Sequence, residues 1–334
     1  MAKRFEDGLV LGKFFPPHLG HLHLIDTAVK NCKTVHVMVC SLKNETIPGV
    51  LRYNWIKQHY RKNKNVNVIH CDQELPQYPS DCESEFVFYN QHWVPTVYSY
   101  IDKLDAVFTS EDYGNEFAFW LDIEHVLVDK DRVKFPISGT KIRNSAFNNW
   151  EFIPDHEKSY FMKRVAILGP ESVGKSTLSK KLAEHFKSEY VEEYGRTYTE
   201  KTGTKNLKTS DFIHIAKKQY KMNFAPMKVA SKFLFCDTEA ITTKVFADMY
   251  INKRNIPQID EIIDKQKFSL CILLDIDVPW VDDGTRDFQG ERQKHFKILQ
   301  NELDSRGINY VIISGSNYND RLQKAIFEVN KLLK

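Results

Sequence analysis

The stretch Leu168-Gly169-Pro-Glu-Ser-Val-Gly174-Lys175-Ser176-Thr177 constrains this chain more than any other. It satisfies GxxxxGKS, follows the apolar run Arg164 to Leu168 and opens an amphipathic stretch, so it reads as strand, glycine loop and helix start in succession. Such a loop wraps backbone N–H groups around phosphates. Gly169 and Gly174 let the chain curl, Lys175 reaches the β- and γ-phosphates, Ser176 ligates Mg2+, and Thr177 completes the nucleotide contacts. ATP is the expected co-substrate, and a parallel sheet flanked by helices is the architecture that presents such a loop.

The rest of the sequence follows the same βα pattern, with short apolar runs alternating with longer amphipathic ones. Candidate strands are Gly8 to Gly12, Thr34 to Val39, Val66 to Ile69, Ala106 to Thr109 and His125 to Val128, then Arg164 to Leu168, Tyr190 to Val191, Phe233 to Phe235, Leu270 to Asp275 and Tyr310 to Ile313. A chain of 334 residues exceeds what one hydrophobic core ordinarily serves. The proline-bearing segment Trp150-Glu-Phe-Ile-Pro-Asp-His156 interrupts the pattern just before a new strand. The expectation is an α/β protein of two domains, a Rossmann-like parallel sheet over 1–155 and a P-loop sheet over 160–334.

Charge and cysteine content narrow the function classes. The 47 basic and 44 acidic residues leave a formal charge of +3, too small a field to favour nucleic acid or an anionic membrane. Anionic ligands must therefore be held locally. The six cysteines form no CxxC pair or zinc-spaced cluster and read as reduced, mostly core thiols. The polar start, Met1 to Asp7, offers no secretory signal, and no apolar run is long enough to span a membrane, so a cytoplasmic protein is expected. The basic run Arg61-Lys-Asn-Lys64 reads as charge at a helix end.

A second phosphate-directed constellation lies upstream. Leu9-Val-Leu-Gly12-Lys13-Phe14-Phe-Pro-Pro-His18-Leu-Gly20-His21 is a strand, a proline-stiffened loop and a helix start carrying HxGH. The crossover aims backbone N–H groups above the sheet, and Gly20, between the two histidines, allows a close backbone approach. Gly12, Lys13, Phe14 and Gly20 are accordingly assigned to nucleotide contact, whereas His23, His36, His59 and His70 read as structural. More than 100 residues on, Ile137-Ser138-Gly139-Thr140-Lys141-Ile142-Arg143 matches ISxTxxR. Ser138 and Thr140 can cap the helix that follows, and its N-terminus and Arg143 offer donors and charge to a triphosphate. Thr109-Ser110-Glu111, after a candidate strand, should meet the nucleotide at the carboxyl edge of the sheet.

In the C-terminal half, Phe233-Leu-Phe-Cys-Asp237 is a buried-type strand ending in a carboxylate, the position of an acid that organises Mg2+. Glu192-Glu193-Tyr194-Gly-Arg196 follows the second strand of that domain. Alternation aims only one of the adjacent glutamates at the site, and Glu193 is favoured as general base, with Asp237 as its rival. Val281-Asp282-Asp283-Gly284-Thr285-Arg286 has the composition of a lid in which Arg286 reaches the transferred phosphoryl group.

HxGH with ISxTxxR resembles the HxGH nucleotidyltransferase superfamily over nearly the whole first domain. That resemblance implies direct attack of a substrate phosphate on the α-phosphorus of ATP, with pyrophosphate released and no protein nucleophile. His18 and His21 would then stabilise charge at the transferred phosphorus, Ser138, Thr140 and Arg143 would hold the β and γ groups, and Lys13 would add a contact. The order of domains, with Gly12 to His21, Ile137 to Pro154, Val165 to Thr177, Glu193 to Arg196, Asp237 to Thr243 and Trp280 to Arg286, resembles NadR-type bifunctional enzymes. The implied activities are ribosylnicotinamide kinase and nicotinamide-mononucleotide adenylyltransferase, with ribosylnicotinamide, nicotinamide mononucleotide, ATP and NAD as small-molecule partners. Tyr194 and Tyr198 are expected to stack on the cationic pyridinium ring, with Arg196 beside them. Some members of that family begin with a helix-turn-helix domain; here the first strand begins near Gly8, so no operator binding is expected. Another adenylyltransferase-kinase fusion and a non-catalytic NAD or ATP sensor remain alternatives, and a homo-oligomer is compatible with the sequence.

Overall fold

Successive residues of a strand face opposite sides of its sheet, and the chain uses this to bury both faces. In the computed structural model, which describes residues 3–225, 231–281 and 287–333, the chain divides into two compact units, Met1–Lys158 and Ser159–Lys334.

The first unit runs β1 (Phe5–Gly12), α1 (Leu19–Asn31), β2 (Cys32–Cys40), α2 (Gly49–His59), β3 (Val66–Cys71), α3 (Val94–Tyr100), β4 (Ala106–Thr109), α4 (Tyr113–Leu121), β5 (Glu124–Leu127) and α5 (Gly139–Asn144). Its five strands are parallel in the order β3-β2-β1-β4-β5, with Gly12 beside Val39 and Val10 beside Phe108. Val10, Val37 and Phe108 pack under α1 and α2, while Leu9, Leu11, Met38 and Val107 pack on the opposite face against Val97 and Phe117. The chain order reverses between β1 and β4, which opens a crevice at their carboxyl ends.

A helix α6 (Asp155–Phe161) carries the division. The second unit continues with β6 (Lys163–Leu168), α7 (Lys175–Phe186), β7 (Glu189–Val191), α8 (Tyr194–Thr202), α9 (Thr209–Asn223), β8 (Phe233–Asp237), α10 (Ala240–Ile251), α11 (Pro257–Lys265), β9 (Leu270–Leu274), α12 (Arg292–Ser305), β10 (Tyr310–Ile313) and α13 (Tyr318–Asn330). These strands too are parallel, ordered β10-β9-β6-β8-β7. Val165, Ile167, Phe235 and Ile272 face α7 and α13, and Ala166, Leu168 and Leu273 face α9 to α12. Because β6 sits centrally and pairs Ile167 with Asp237, the glycine loop and the end of β8 emerge side by side. The two parallel sheets expected from the sequence are thus present, with strands two or three residues longer than expected at β1, β2, β3 and β8.

All six cysteines are free, five of them buried. Among the described residues no helix is long and apolar enough to cross a membrane.

Candidate active sites

In the first unit the HxGH segment builds its own geometry. His18 is the N-cap of α1, and its Nδ1 accepts the His21 backbone N–H at 3.3 Å. An imidazole that accepts at Nδ1 and is neutral carries its proton on Nε2, as a donor. The His18 and His21 rings stack with centroids 3.7 Å apart, and Phe14 meets His21 edge-on at 5.0 Å. Burial lowers the His18 pKa to about 4, with the Arg132 charge adding to it. Burial, then His18 and Arg132, holds His21 well below the usual imidazole range. His21 Nδ1 is buried and has no partner among the described residues. The pair is thus neutral, and fixed positive charge must come from elsewhere in the site.

The ISxTxxR segment meets this loop from the other side. Ser138 caps α5 by accepting the Lys141 N–H at 3.3 Å. Arg143 donates to the Phe15 carbonyl and to Thr140 Oγ1 at 3.0 Å, and its guanidinium lies 4.3 Å over the Phe15 ring. A methyl group on Gly139 would overlap the Phe15 carbonyl, so only glycine lets α5 come this close. Gly12, Lys13, Phe14, His18, Gly20, His21, Ser138, Thr140 and Arg143 all line one cavity of about 780 Å³, the size of a nucleotide site. Phe14 occupies the left-handed region at φ 46°, a strained conformation of the kind that gathers at binding loops. Ser110 and Glu111 line the cavity as expected. Thr109 is buried instead, its Oγ1 2.8 Å from His125 Nε2.

Two arginines of this region lie outside both motifs. Arg52, fully buried on α2, donates to the carbonyls of Lys13, Cys40 and Ile47 and pairs with Glu45, tying the nucleotide loop to the end of β2. Arg132, on the loop after β5, lines the cavity and pairs with Glu111. No local pattern marks either one; Arg52 reads as one more polar residue on a helix.

In the second unit the glycine loop takes the curled form its sequence requires, with φ 148° at Gly169 and 88° at Gly174. Lys175 is buried, and its ammonium donates to the Gly169 and Pro170 carbonyls at 2.9 and 2.8 Å. Asp237, at the end of β8, lies beside Ser176, and its buried Oδ1 has no partner among the described residues. Burial, with Glu193 adding to it, pushes the Asp237 carboxyl up to about 6, against the pull of Lys175, Ser176 and Arg196. A hydroxyl beside an orphaned carboxylate oxygen is an oxygen donor set of the type Mg2+ takes, completed by phosphates and water. Thr177 lines a small adjoining recess with Gly174 and Tyr318.

Lys175, Glu193 and Arg196 face one recess with Gln219, Thr242, Phe246 and Tyr250. Glu192 is not part of it; its Oε1 accepts the Tyr190 hydroxyl at 3.0 Å. Tyr194 and Tyr198 do not line it either. Helix α8 presents Gly195, Arg196 and Thr199, and residues one position earlier are rotated by about 100° around a helix of 3.6 residues per turn. Both tyrosines pack on His214, with the Tyr198 hydroxyl donating to Asp211 at 2.7 Å. The apolar wall comes from Phe212, Ile215, Phe246 and Tyr250, spread over α9 and α10. Arg286 lies outside the described residues. The tip of the glycine loop holds both flanks of that segment: Ser172 Oγ accepts the Val281 N–H at 2.7 Å, and Glu171 accepts those of Asp287 and Phe288 at 3.1 Å each.

Comparison with known proteins places these sites in a wider set. Residues 164–321 match the AAA domain family and residues 10–128 the citrate lyase ligase C-terminal domain family. The chain is 32% identical over 353 residues to the trifunctional NAD biosynthesis/regulator protein NadR of Escherichia coli (strain K12), covering 98% of this chain and 83% of the relative. The protein of that name from Salmonella typhimurium (strain LT2) is 31% identical with the same coverage. The fold matches crystal structures of NadR with NR (TM-score 0.81, 21% identity, 100% and 98% of the two chains) and of NadR with NAD and AMP-PNP (TM-score 0.80, 22% identity, 99% and 98%).

Proposed function

The chain belongs to the NadR family, and from that membership we propose a bifunctional enzyme of NAD synthesis whose two reactions run on separate units. The Ser159–Lys334 unit phosphorylates the 5′-hydroxyl of ribosylnicotinamide with ATP, and the Met1–Lys158 unit adenylylates the resulting nicotinamide mononucleotide to NAD and pyrophosphate. The observation that carries this reading is the relationship over 98% of this chain to NAD biosynthesis proteins, in a chain where the HxGH and ISxTxxR residues of the first unit line one cavity and Lys175, Glu193 and Arg196 of the second face one recess.

In the kinase reaction the glycine loop wraps the ATP phosphates, and the Lys175 ammonium exchanges its own loop carbonyls for phosphate oxygens. Glu193, on the recess shared with Lys175, takes the proton of the attacking hydroxyl. Ser176 and Asp237 would hold Mg2+, which supplies neutralisation of phosphate charge. The wall of Phe212, Phe246 and Tyr250 suits a flat cationic ring, which an aromatic face attracts. Adenylyl transfer needs no protein nucleophile. Neutral His18 and His21 donate hydrogen bonds to the transferring phosphoryl group, and Lys13, Thr140, Ser138 and Arg143 orient the triphosphate. Cytoplasm, where ATP is supplied, is the setting this chemistry calls for.

The test is product formation by the purified full chain given Mg-ATP with ribosylnicotinamide, or with nicotinamide mononucleotide, resolved by chromatography. NAD is expected from both. If neither substrate is consumed, the assignment is wrong.

A further inference from the structure

We propose that Arg132 is a third phosphate-binding cation of the adenylyl-transfer cavity, held on Glu111 until phosphate displaces that carboxylate. This rests on the adenylyl-transfer reading of the first unit and adds a residue that neither motif contains.

The need for such a group follows from the charge of the site. A reaction between a phosphate and a triphosphate concentrates negative charge, while the stacked His18–His21 pair is neutral. Positive charge on the cavity wall comes from Lys13, Arg132 and Arg143. Each rests on an internal acceptor: Lys13 lies 3.3 Å from Glu45, Arg143 donates to the Phe15 carbonyl and Thr140, and Arg132 Nη2 lies 3.1 Å from Glu111 Oε1. Lys134, on the same loop as Arg132, is turned to His23 at 3.5 Å and is not part of the wall.

The Arg132–Glu111 pair has the features of a temporary arrangement. Its side chains are 40% and 58% exposed, and such surface pairs contribute only about 0.2–1 kcal/mol. Phosphate offers the guanidinium two parallel charge-assisted hydrogen bonds instead. The backbone beneath Arg132, by contrast, is built. Arg132 sits in the left-handed region at φ 53° and donates its N–H to the Asp129 carbonyl at 2.8 Å. The Asp129 carboxylate accepts the N–H groups of Lys134 and Phe135 at 3.3 and 3.4 Å. A strained non-glycine residue in a hydrogen-bonded turn is a reason to look for function there. Arg132 is also close enough to the histidine pair for its charge to act on both rings. Glu111 then has a second effect: once Arg132 leaves it, the carboxylate repels anionic product and favours release.

The experiment compares wild type, Arg132→Ala, Arg132→Lys and Glu111→Gln in the full chain, using ATP with nicotinamide mononucleotide. Thermal unfolding of the same preparations followed by circular dichroism reports that the first unit is folded, and phosphorylation of ribosylnicotinamide reports that the second unit is intact. Arg132→Ala should lower adenylyl transfer by about 10²-fold, the usual cost of removing one donor from developing charge, and Arg132→Lys should recover roughly tenfold of it. Glu111→Gln, which removes the carboxylate that repels anionic product, should tighten inhibition by pyrophosphate. A rise in KM for ATP alone assigns Arg132 to the triphosphate, and a rise for the mononucleotide alone assigns it to the attacking phosphate. The proposal is wrong if Arg132→Ala stays within about twofold of wild type. It is equally wrong if Lys recovers nothing and Glu111→Gln loses as much as Arg132→Ala, which would make the pair a strut. A wild type that forms no NAD while phosphorylating ribosylnicotinamide would instead remove the reading on which the proposal rests.

Discussion

Gly139→Ala tests how the two halves of the adenylyl-transfer site are held together. Built on the backbone, the new methyl carbon would lie 3.0 Å from the Phe15 carbonyl carbon, overlap its oxygen, and lie 3.3 Å from Arg143 Nη1. Carbon atoms in contact prefer about 3.5–4.0 Å, so α5 and the Phe15 loop must part by roughly 0.5–1 Å. The same carbonyl accepts the Arg143 guanidinium, which also stacks on the Phe15 ring, so the separation loosens both contacts. Overpacking of this kind costs about 1–3 kcal/mol of stability. A misplacement near 1 Å can cost on the order of 10²-fold in rate. The assay is NAD formation from nicotinamide mononucleotide and ATP, read through a coupled dehydrogenase, with phosphorylation of ribosylnicotinamide by the same protein as control. The expected result is a loss approaching 10²-fold in the first reaction and none in the second. Adenylyl transfer within about twofold of wild type would show that the close approach at Gly139 does not position Arg143.

Three further outcomes follow from the geometry. Asp237→Asn should lower kinase activity by about 10²–10³-fold while raising the melting temperature at neutral pH. The sign follows from its raised pKa of about 6: the folded state binds the proton more tightly than the unfolded, so stability is full below the unfolded pKa and is lost as pH rises through 6. Scanning calorimetry of both proteins at neutral pH checks it, and a lower melting temperature for the variant would contradict it. Arg52→Ala leaves Glu45 without its buried partner and should destabilise the first unit by about 3–5 kcal/mol, measured by denaturant unfolding. Gly174→Ala places a methyl carbon 2.6 Å from the Tyr318 ring at a residue with φ 88° and should abolish ATP-dependent phosphorylation while leaving adenylyl transfer near wild type, as rates on the two substrates would show.

Much of the fold was legible because the strands of a doubly covered parallel sheet must be apolar on both faces. Val165 to Leu168 and Phe233 to Cys236 are buried, and their shortness, with a glycine loop directly after the first, favours strand over helix for such apolar runs. Sheet order was not legible, since nothing local in β8 says that it lies between β6 and β7. The π-helical turn Val87–Trp93, whose Phe88, Tyr89 and Trp93 reach the first cavity, also has no sequence signature. Motif residues were readable as candidates where one short segment carries them, as with His18 and His21 at the start of α1, Lys175 at the start of α7 and Arg143 on α5. Glu193 was separable from Glu192 because neighbours on an extended segment point apart. Tyr194 and Tyr198 show the limit: aromatic character suggested a ring-binding role, but helix phase turns both toward His214, and the residues that face the recess come from distant helices.

The central claim, two sequential reactions at two independent sites, is tested most directly by mixing two variants, each inactive at one site. Given ribosylnicotinamide and Mg-ATP, Lys175→Ala alone should form nothing and His18→Ala alone should stop at nicotinamide mononucleotide. Combined in one tube, they should restore NAD, because the intermediate leaves one chain and enters the other. No NAD from the mixture, with wild type active under the same conditions, would contradict independent sites joined by a free mononucleotide.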